Sequence, residues 1–262
     1  MHMSELKMIS SRDNEKIKDL IKLSAKKYRY KLGKFKIENL AIIFDALRSG
    51  HAFEAIFVTE NFIQSNQEKM EYFQKNAEKS QFFVINEDLN KACSELETPS
   101  GIIAVYGMKE FGWEEDLPVI YLNGINDPGN VGTILRTALA FDFKNIILDE
   151  KCADIYNAKT LSAGKDAIFK LNIKEDRNFQ WLENNKDKFA IYAADSNGGT
   201  PLGKFKAEES FCLVLGSESH GIDEKILEMT KERIRIEISQ NMESLNVAVA
   251  GAILLYALRN QK

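Results

Sequence analysis

Three short stretches in the second half of the chain constrain its fold most. They lie at residues 126–136, 213–218 and 243–250, and each joins an apolar, strand-like run to a turn of glycine, serine or asparagine. In the first and third stretches the turn opens a helix. Alternating strands and helices predict an α/β domain. Because such junctions leave backbone N–H and C=O groups unpaired at the edge of a sheet, the three turns predict one pocket built from three loops.

The polar residues of these turns are candidates for a functional site. They are Asn130, Arg136, Glu218, Ser244 and Asn246. A packed core avoids such groups unless they serve a site. Each residue alone also has a structural explanation, since Asn130 or Ser244 could cap a helix and Arg136 or Glu218 could lie on the surface. Their occurrence together, in order, favours the functional interpretation.

The three stretches resemble the three signature motifs of the SpoU/TrmH family of RNA ribose 2′-O-methyltransferases, which belong to the SPOUT superfamily. The matching residues are Asp127-Pro128-Gly129-Asn130-Val131-Gly132 with Arg136, then Leu215-Gly216-Ser217-Glu218, then Ser244-Leu245-Asn246-Val247. The resemblance covers residues 118–262. It implies a parallel α/β sheet whose C-terminal segment forms a trefoil knot, S-adenosylmethionine as cofactor, and a homodimer.

The resemblance also implies a role for each residue. The implied catalytic residues are Arg136, Asn130, Glu218 and Asn246, with Glu218 orienting Asn130 and Arg136. The implied cofactor contacts, largely through the main chain, are Leu215, Gly216, Ile236, Ile238, Ser244 and Leu245. At Gly216 we expect a side chain to block the approach of the cofactor. Arginine is not readily deprotonated, so Arg136 could either activate the ribose hydroxyl or clamp a phosphate and stabilise an alkoxide.

Some positions depart from the family pattern. Glu237 and Gln240 replace the usual proline and glycine of the third motif, and Ser162-Ala163-Gly164-Lys165-Asp166 replaces an Arg-Ala-Ser-hydrophobic-Gly segment. A non-catalytic RNA-binding paralogue therefore remains an alternative. A Rossmann-type nucleotide enzyme is disfavoured because the chain has no G-x-G-x-x-G after an early strand.

Charge is unevenly distributed along the chain. The net charge is −4, yet residues 12–36 hold ten basic and three acidic residues, a net +7 that leaves −11 for the rest. A basic stripe of this kind suits RNA phosphates, although a solvated helix face would look similar. The candidate RNA contacts are Arg12, Lys22, Lys26, Lys27, Arg29 and Lys31. Among the interleaved aromatic residues, Tyr28, Tyr30 and Phe35 are compatible with base stacking.

The N-terminal half predicts a second, smaller α/β domain. A helix over 13–31 is followed by alternating strands and helices up to Tyr106. Glu38-Asn39, Ala46-Leu47, Gly50 and Thr98-Pro99-Ser100-Gly101-Ile102 resemble the ribosomal-protein-like substrate-binding domain of many SpoU-type enzymes. We therefore predict an RNA substrate-binding domain at 1–106, a linker at 107–117 and a methyltransferase domain at 118–262.

The remaining composition narrows the class of protein. The three cysteines, Cys93, Cys152 and Cys212, are widely spaced, and no pair has metal-ligand spacing. The longest apolar run, residues 247–258, is too short to cross a bilayer. We expect a cytoplasmic RNA methyltransferase with no metal and no membrane partner. The resemblance favours rRNA, most of all 23S rRNA, over tRNA as substrate.

Overall fold

The computed structural model describes residues 6–77, 79–196 and 198–261. The ends of the predicted first and last domains, residues 1–5 and 262, lie outside that range. The chain forms two compact units. The first unit comprises residues up to 109 together with 156–162, and the second comprises 110–155 and 163 onward.

The first unit is built on a mixed sheet of five strands. Its strands are β1 (Lys7–Ile9), β2 (Lys34–Ile37), β3 (Ala55–Val58), β4 (Gln81–Ile85) and β5 (Ile102–Gly107), in the order β1-β4-β3-β5-β2. Its helices are α1 (Glu15–Lys22), α2 (Lys26–Leu32), α3 (Leu40–Arg48), α4 (Glu60–Ser65), α5 (Gln67–Asn76) and α6 (Glu87–Cys93). Strands β1, β4 and β3 are parallel, whereas β5 runs antiparallel to both of its neighbours. The sequence did not predict β1 or α4.

The predicted helix over 13–31 is wrong in one respect, because the chain forms two helices there. Helix α1 ends at its C-cap Leu23, and Ala25 adopts extended backbone angles before α2 begins. The carbonyl groups at a helix end need partners. Arg29 supplies them, since its Nη1 donates to the carbonyl oxygens of Leu23 and Ser24, each at 2.9 Å.

The second unit is built on a sheet of seven strands, paired in parallel throughout. They are β6 (Val119–Asn123), β7 (Asn145–Asp149), β8 (Asn172–Asp176), β9 (Ala190–Ala194), β10 (Thr200–Pro201), β11 (Phe211–Gly216) and β12 (Glu232–Arg235), in the order β10-β12-β9-β11-β6-β7-β8. The main helices are α7 (Pro128–Ala140), α9 (Gln180–Asn185), α10 (Glu224–Met229) and α11 (Val247–Arg259). Helix α8 (Ala158–Gly164) belongs to the first unit up to residue 162 and to the second from residue 163. Two 3₁₀ turns lie at Lys165–Phe169 and Leu202–Lys204. This confirms the predicted α/β fold with a parallel sheet, while the knot stays a prediction.

The predicted linker, 107–117, is not a free connection. Gly107 still belongs to β5, and the chain from residue 110 onward packs on the second unit. The Trp113 ring lies 6.1 Å from the Trp181 ring, and the Asn145 side chain donates to the carbonyl oxygen of Glu114 at 2.6 Å. Because the indole of Trp113 is largely apolar, it packs on the second unit. Most of this acidic, glycine-containing segment therefore belongs to that unit.

A buried polar network organises the carboxyl edge of the second sheet. The Asn123 side chain donates to Asp149 at 2.7 Å, and the backbone N–H groups of Gly124 and Lys151 donate to the same carboxylate at 3.0 Å. Asn123 accepts in turn from the backbone of Asp223 at 2.8 Å. The carboxyl ends of parallel strands share one edge, where ligands of such folds bind. The network therefore fixes the loops that carry the first and second motifs.

Candidate active site

The first motif sits at the start of α7. Asp127 is the N-cap residue, and its carboxylate accepts from the backbone N–H of Asn130 at 2.9 Å, with Pro128 at the next position. Both residues are favourable there, because the acid satisfies an unpaired donor and proline has none to satisfy. The alternative that Asn130 caps the helix is therefore wrong. Its side chain is left to make contacts outside α7.

The third motif sits at the start of α11, where Asn246 is the cap. Its Oδ1 accepts from the backbone N–H groups of Ala248 at 3.0 Å and Val249 at 3.3 Å. The helix therefore begins at Val247, three residues later than the sequence predicted, and Ser244 does not cap it. Ser244 instead lies in the exposed segment that precedes the helix.

The three motifs are joined through one carboxylate. Glu218 Oε1 accepts from Asn246 Nδ2 at 2.5 Å, from Asn130 Nδ2 at 3.2 Å and from the backbone N–H of Val247 at 3.3 Å. Asn246 also donates to Asn130 at 3.0 Å. Hydrogen bonds to an ionised acceptor are stronger than neutral ones. The carboxylate thus holds the loop after β11 against the starts of α7 and α11.

Arg136 is not part of this network, contrary to the expectation that Glu218 orients it. It lies on the exposed face of α7 and makes no hydrogen bond or ion pair within the described parts of the chain. Six helical residues turn the chain by roughly 600°, so Arg136 points about a third of a turn away from Asn130. Its guanidinium is therefore available to a ligand.

A cavity of about 750 Å³ opens between the second and third motifs. The ends of β9, β11 and β12, the loop 217–222, the segment before α11 and the first turns of α11 line it. All six residues expected to contact the cofactor lie on its walls: Leu215, Gly216, Ile236, Ile238, Ser244 and Leu245. Its volume is typical of a site for a small molecule.

The sequence missed several polar residues of the cavity wall, among them Asp195, Ser196 and Glu243. Asp195 directly follows β9, and its carboxylate accepts from Arg233 Nη1 at 3.0 Å. Its position after a predicted strand was the available signal, because residues at the carboxyl ends of parallel strands share one edge.

Gly216 is required for a reason that the sequence alone does not show. A Cβ atom at this position would lie 2.5 Å from the backbone carbon and oxygen of Gly221 and 2.6 Å from the Ile222 side chain. The loop closes there because the backbones of Ser217 and Gly221 exchange hydrogen bonds of 3.0 and 2.9 Å. The chain's own loop therefore excludes a side chain, whether or not a ligand is bound.

Strand β12 is shorter and begins earlier than the alternating isoleucines at 234, 236 and 238 indicate. Strand β12 runs from Glu232 to Arg235, and its last pairing with β9 joins Ile234 to Ala194, where β9 ends. Ile236 and Ile238 lie beyond this partner strand. They line the cavity instead.

Comparison with known proteins assigns both halves of the chain. Residues 117–256 match the SpoU rRNA Methylase family, and residues 14–104 match the MRM3-like substrate binding domain. The chain belongs to the SpoU rRNA methylase family. It is therefore an RNA methyltransferase, as the three motifs predicted.

Individual relatives agree with the family over nearly the whole chain. The 23S rRNA (guanosine(2553)-2′-O)-methyltransferase RlmP of Bacillus subtilis (strain 168) is 34% identical over 97% of this chain and 100% of its own length. A putative RNA methyltransferase of the TrmH family from Porphyromonas gingivalis has a similar structure, with a TM-score of 0.81 and 26% identity over 95% of this chain and 99% of that one.

The departures from the SpoU pattern leave the cavity formed. Gln240 lies in a turn in which Met242 N–H donates to the Ser239 carbonyl at 3.2 Å, and its φ is not positive, so glycine is not needed there. Glu237 is exposed. In the departing segment at residues 162–166, Gly164 approaches α7 closely. A Cβ atom at Gly164 would lie 3.3 Å from the carbonyl oxygen of Gly132.

Five of the six candidate RNA contacts in the basic stripe of this SpoU methylase are exposed. Arg12, Lys22, Lys26, Lys27 and Lys31 are exposed. Arg29 is only 4% exposed and is held by backbone carbonyls, so its prediction as a surface RNA contact is wrong. A sequence reports the charge of this side chain but not the helix break that buries it.

The aromatic residues of the stripe differ in accessibility. Tyr30 is 42% exposed, and Lys26 Nζ lies 5.5 Å from the centre of its ring. Phe35 is buried and stacks on Tyr106 at 5.6 Å, so it belongs to the core and not to a base-stacking surface.

Thiols and metal ligands contribute little to the site. Burial raises the pKa of the Cys93 thiol to about 11, and burial also raises the pKa of Cys152 and Cys212 well above the ordinary value. These thiols stay protonated at neutral pH and are poor nucleophiles. In the described ranges, no group of three histidine, cysteine or acidic side chains could hold a metal, and no helix is long and apolar enough to cross a membrane.

Proposed function

We propose that this protein binds S-adenosylmethionine in the cavity and methylates a ribose 2′-hydroxyl of 23S rRNA. The observation that carries the proposal is the network of Asn130, Glu218 and Asn246 at the start of α11, whose first turns also line the cavity. The name of the Bacillus subtilis relative supports the choice of rRNA over tRNA. Free, unpaired cysteines suit a reducing compartment such as the cytoplasm.

The cavity suits a nucleoside that carries a short charged chain. Apolar walls from Leu215, Ile236 and Leu245 can enclose a flat base, while Ser244 and Glu243 offer polar contacts. An rRNA methyltransferase from Sinorhizobium meliloti, whose structure is described as AdoMet-bound, shares this fold, with a TM-score of 0.83 and 22% identity over 97% of this chain and 98% of that one. When bound, S-adenosylmethionine would supply an electrophilic methyl group.

The network would hold the acceptor ribose in place. Three donors hold the Glu218 carboxylate, so we assign it the positioning of Asn130 and Asn246. The amide of Asn246 is fully used by the network and the cap of α11, whereas Asn130 keeps one N–H and one lone pair for the ribose. Fixing the reacting groups in line can contribute several kcal/mol to catalysis. Arg136 has no partner within the described parts of the chain, and we assign it the phosphate and the developing alkoxide.

The residue test is Arg136→Ala. We expect single-turnover methyl transfer to fall at least 100-fold, because a charge-stabilising donor is lost. Cofactor affinity should stay within a few-fold, since Arg136 does not line the cavity. The measurements are transfer of a labelled methyl group and calorimetric titration of the cofactor. Turnover close to that of the unchanged protein would remove Arg136 from the mechanism.

The substrate test uses 23S rRNA transcribed without modifications and a tRNA pool as its counterpart. We expect one new 2′-O-methyl position in the rRNA, mapped by primer extension at low nucleotide concentration. Methylation of tRNA alone would contradict the choice of rRNA. Cofactor binding without transfer to either RNA would favour the non-catalytic paralogue.

We also propose that the protein works as a homodimer through α11. The apolar side chains Val249, Ile253 and Tyr256 are 49%, 37% and 58% exposed on this helix, and the Tyr256 ring packs 5.7 Å from Phe141 at the end of α7. An exposed apolar patch on one helix face is typical of an interaction surface.

A further inference from the structure

Two cations of the second unit, Arg136 and Lys165, have no anionic partner among the residues that the structure describes. Neighbouring cations do have such partners. Lys170 pairs with Asp166 at 2.5 Å, so the acid next to Lys165 is already occupied, and Arg259 pairs with Asp142 at 3.0 Å. Arg136 and Lys165 are therefore left to solvent or to an anion from outside the chain.

The 3₁₀ turn that begins at Lys165 packs against α7, the helix that carries Arg136. Gly164, the last residue of α8, approaches Gly132 of α7 so closely that a Cβ would lie 3.3 Å from the Gly132 carbonyl oxygen. Lys165 follows Gly164 directly. Arg136 is four residues after Gly132, and therefore lies on nearly the same face of α7, about 6 Å further along the axis. Asn130 of the motif network lies just before Gly132.

Lys165 also has an unusual backbone. Its φ is +56°, in the left-handed region that glycine and asparagine adopt at little cost. Lysine is strained in this conformation. It differs from glycine and asparagine in its long cationic side chain. Strained backbone of this kind clusters at ligand sites.

We propose that Lys165 and Arg136 together bind one phosphate of the RNA strand at the target nucleotide, an inference that rests on the proposed function. The arginine fork can engage two phosphate oxygens, and the lysine adds a point charge. Beyond the N-terminal stripe the chain has a net negative charge. A pair of cations in that part of the chain would therefore define where the RNA backbone is held. A phosphate held here sets the ribose beside Asn130.

The test compares Lys165→Asn with Lys204→Asn. Asparagine tolerates the left-handed backbone but carries no charge. Lys204 is an exposed lysine of the same unit and makes no ion pair within the described residues, so its variant controls for net charge. The probe is a synthetic RNA with the 23S rRNA sequence around guanosine 2553, the position in the relative's name. Lys165→Asn should lower the slope of log affinity against log salt by about 0.7.

Kinetics and a modified substrate complete the test. Lys165→Asn should raise KM for the RNA at least fivefold and leave cofactor affinity unchanged, and Lys165→Arg should restore KM. Two further RNAs each carry a neutral methylphosphonate, one at the phosphate before the target nucleotide and one at the phosphate after it. With one of these two RNAs, the unchanged protein and Lys165→Asn should have the same affinity. Equal slopes and KM values for Lys165→Asn and Lys204→Asn would overturn the clamp.

The clamp and the proposed function can fail separately. If the unchanged protein binds the RNA but does not methylate it, this target is wrong, while the salt slopes still decide whether Lys165 contacts a phosphate. If the unchanged protein methylates the RNA and Lys165→Asn matches the control in slope and KM, the proposed function stands and the clamp is wrong.

Discussion

At the scale of the residue, close packing of backbone against backbone decides what the second motif tolerates. A Cβ at Gly216 would come within 2.5 Å of the backbone of Gly221, and backbone atoms cannot turn away as a flexible side chain can. The loop 217–222 that would have to move also carries Glu218 and lines the cavity. One methyl group would therefore disturb both the network and the cofactor wall.

Gly216→Ala should destabilise the fold by about 1–3 kcal/mol, the usual cost of overpacking, and weaken cofactor binding at least tenfold. Gly203→Ala is the matched control, because a Cβ there meets nothing within 4 Å. Thermal unfolding and calorimetric titration measure both effects. An alanine at 216 that binds the cofactor as tightly as the control does would show that the loop adapts.

At the scale of the element, α11 serves two surfaces at once. Its buried side packs on α7 and β11, with Leu254, Leu255 and Leu258 almost fully buried, while Val249, Ile253 and Tyr256 remain exposed. Its cap Asn246 ties the same helix to the motif network. A partner that covers the exposed face would therefore lie close to the candidate active site.

Ile253→Glu should convert a dimer of twice the 29.8 kDa chain into a monomer, because a buried unpaired carboxylate is strongly disfavoured at an apolar interface. Leu96→Glu, which changes an exposed leucine of the first unit in the same way, should leave the dimer intact. Sedimentation velocity at micromolar concentration distinguishes the two. A monomeric unchanged protein would contradict the assignment of this face.

At the scale of the whole molecule, the proposed RNA contacts and the candidate cofactor cavity lie on different units. The exposed basic residues predicted to contact RNA lie on the first unit, and the residues that line the 750 Å³ cavity lie on the second. The net charge of −4 hides this division, because acid elsewhere offsets the stripe. Electrostatic attraction to phosphate depends on local charge and falls with salt.

Replacing Lys26, Lys27 and Lys31 by glutamine in the full chain should lower the salt slope of RNA binding by about 2 units and leave cofactor affinity unchanged. A matched triple variant removes three exposed lysines of the second unit, Lys204, Lys206 and Lys225. This control variant should lower the salt slope of RNA binding by less than the variant of Lys26, Lys27 and Lys31 does. Equal slopes would mean that the stripe is a solvated helix face.

The local features of this protein can be predicted from its amino-acid sequence alone. The three turns, their polar residues, the basic stripe and most strands follow from residue type and hydrophobic period, which act over a few neighbours. The same local information predicted the wrong environment for Arg29, because a charged side chain is expected to be exposed. The break between α1 and α2 supplies the carbonyl groups to which the buried guanidinium donates.

Which polar groups meet depends on long-range packing, which the sequence pattern does not reveal. Asn130 and Asn246 are 116 residues apart and converge on Glu218 because the order of the parallel strands brings their carboxyl ends to one edge. Long-range packing also sets the 3₁₀ turn that begins at Lys165 against α7, the helix of Arg136, and closes the loop that forbids a side chain at Gly216. Residue type sets the chemistry that each group is capable of, whereas long-range packing sets the partner with which it interacts.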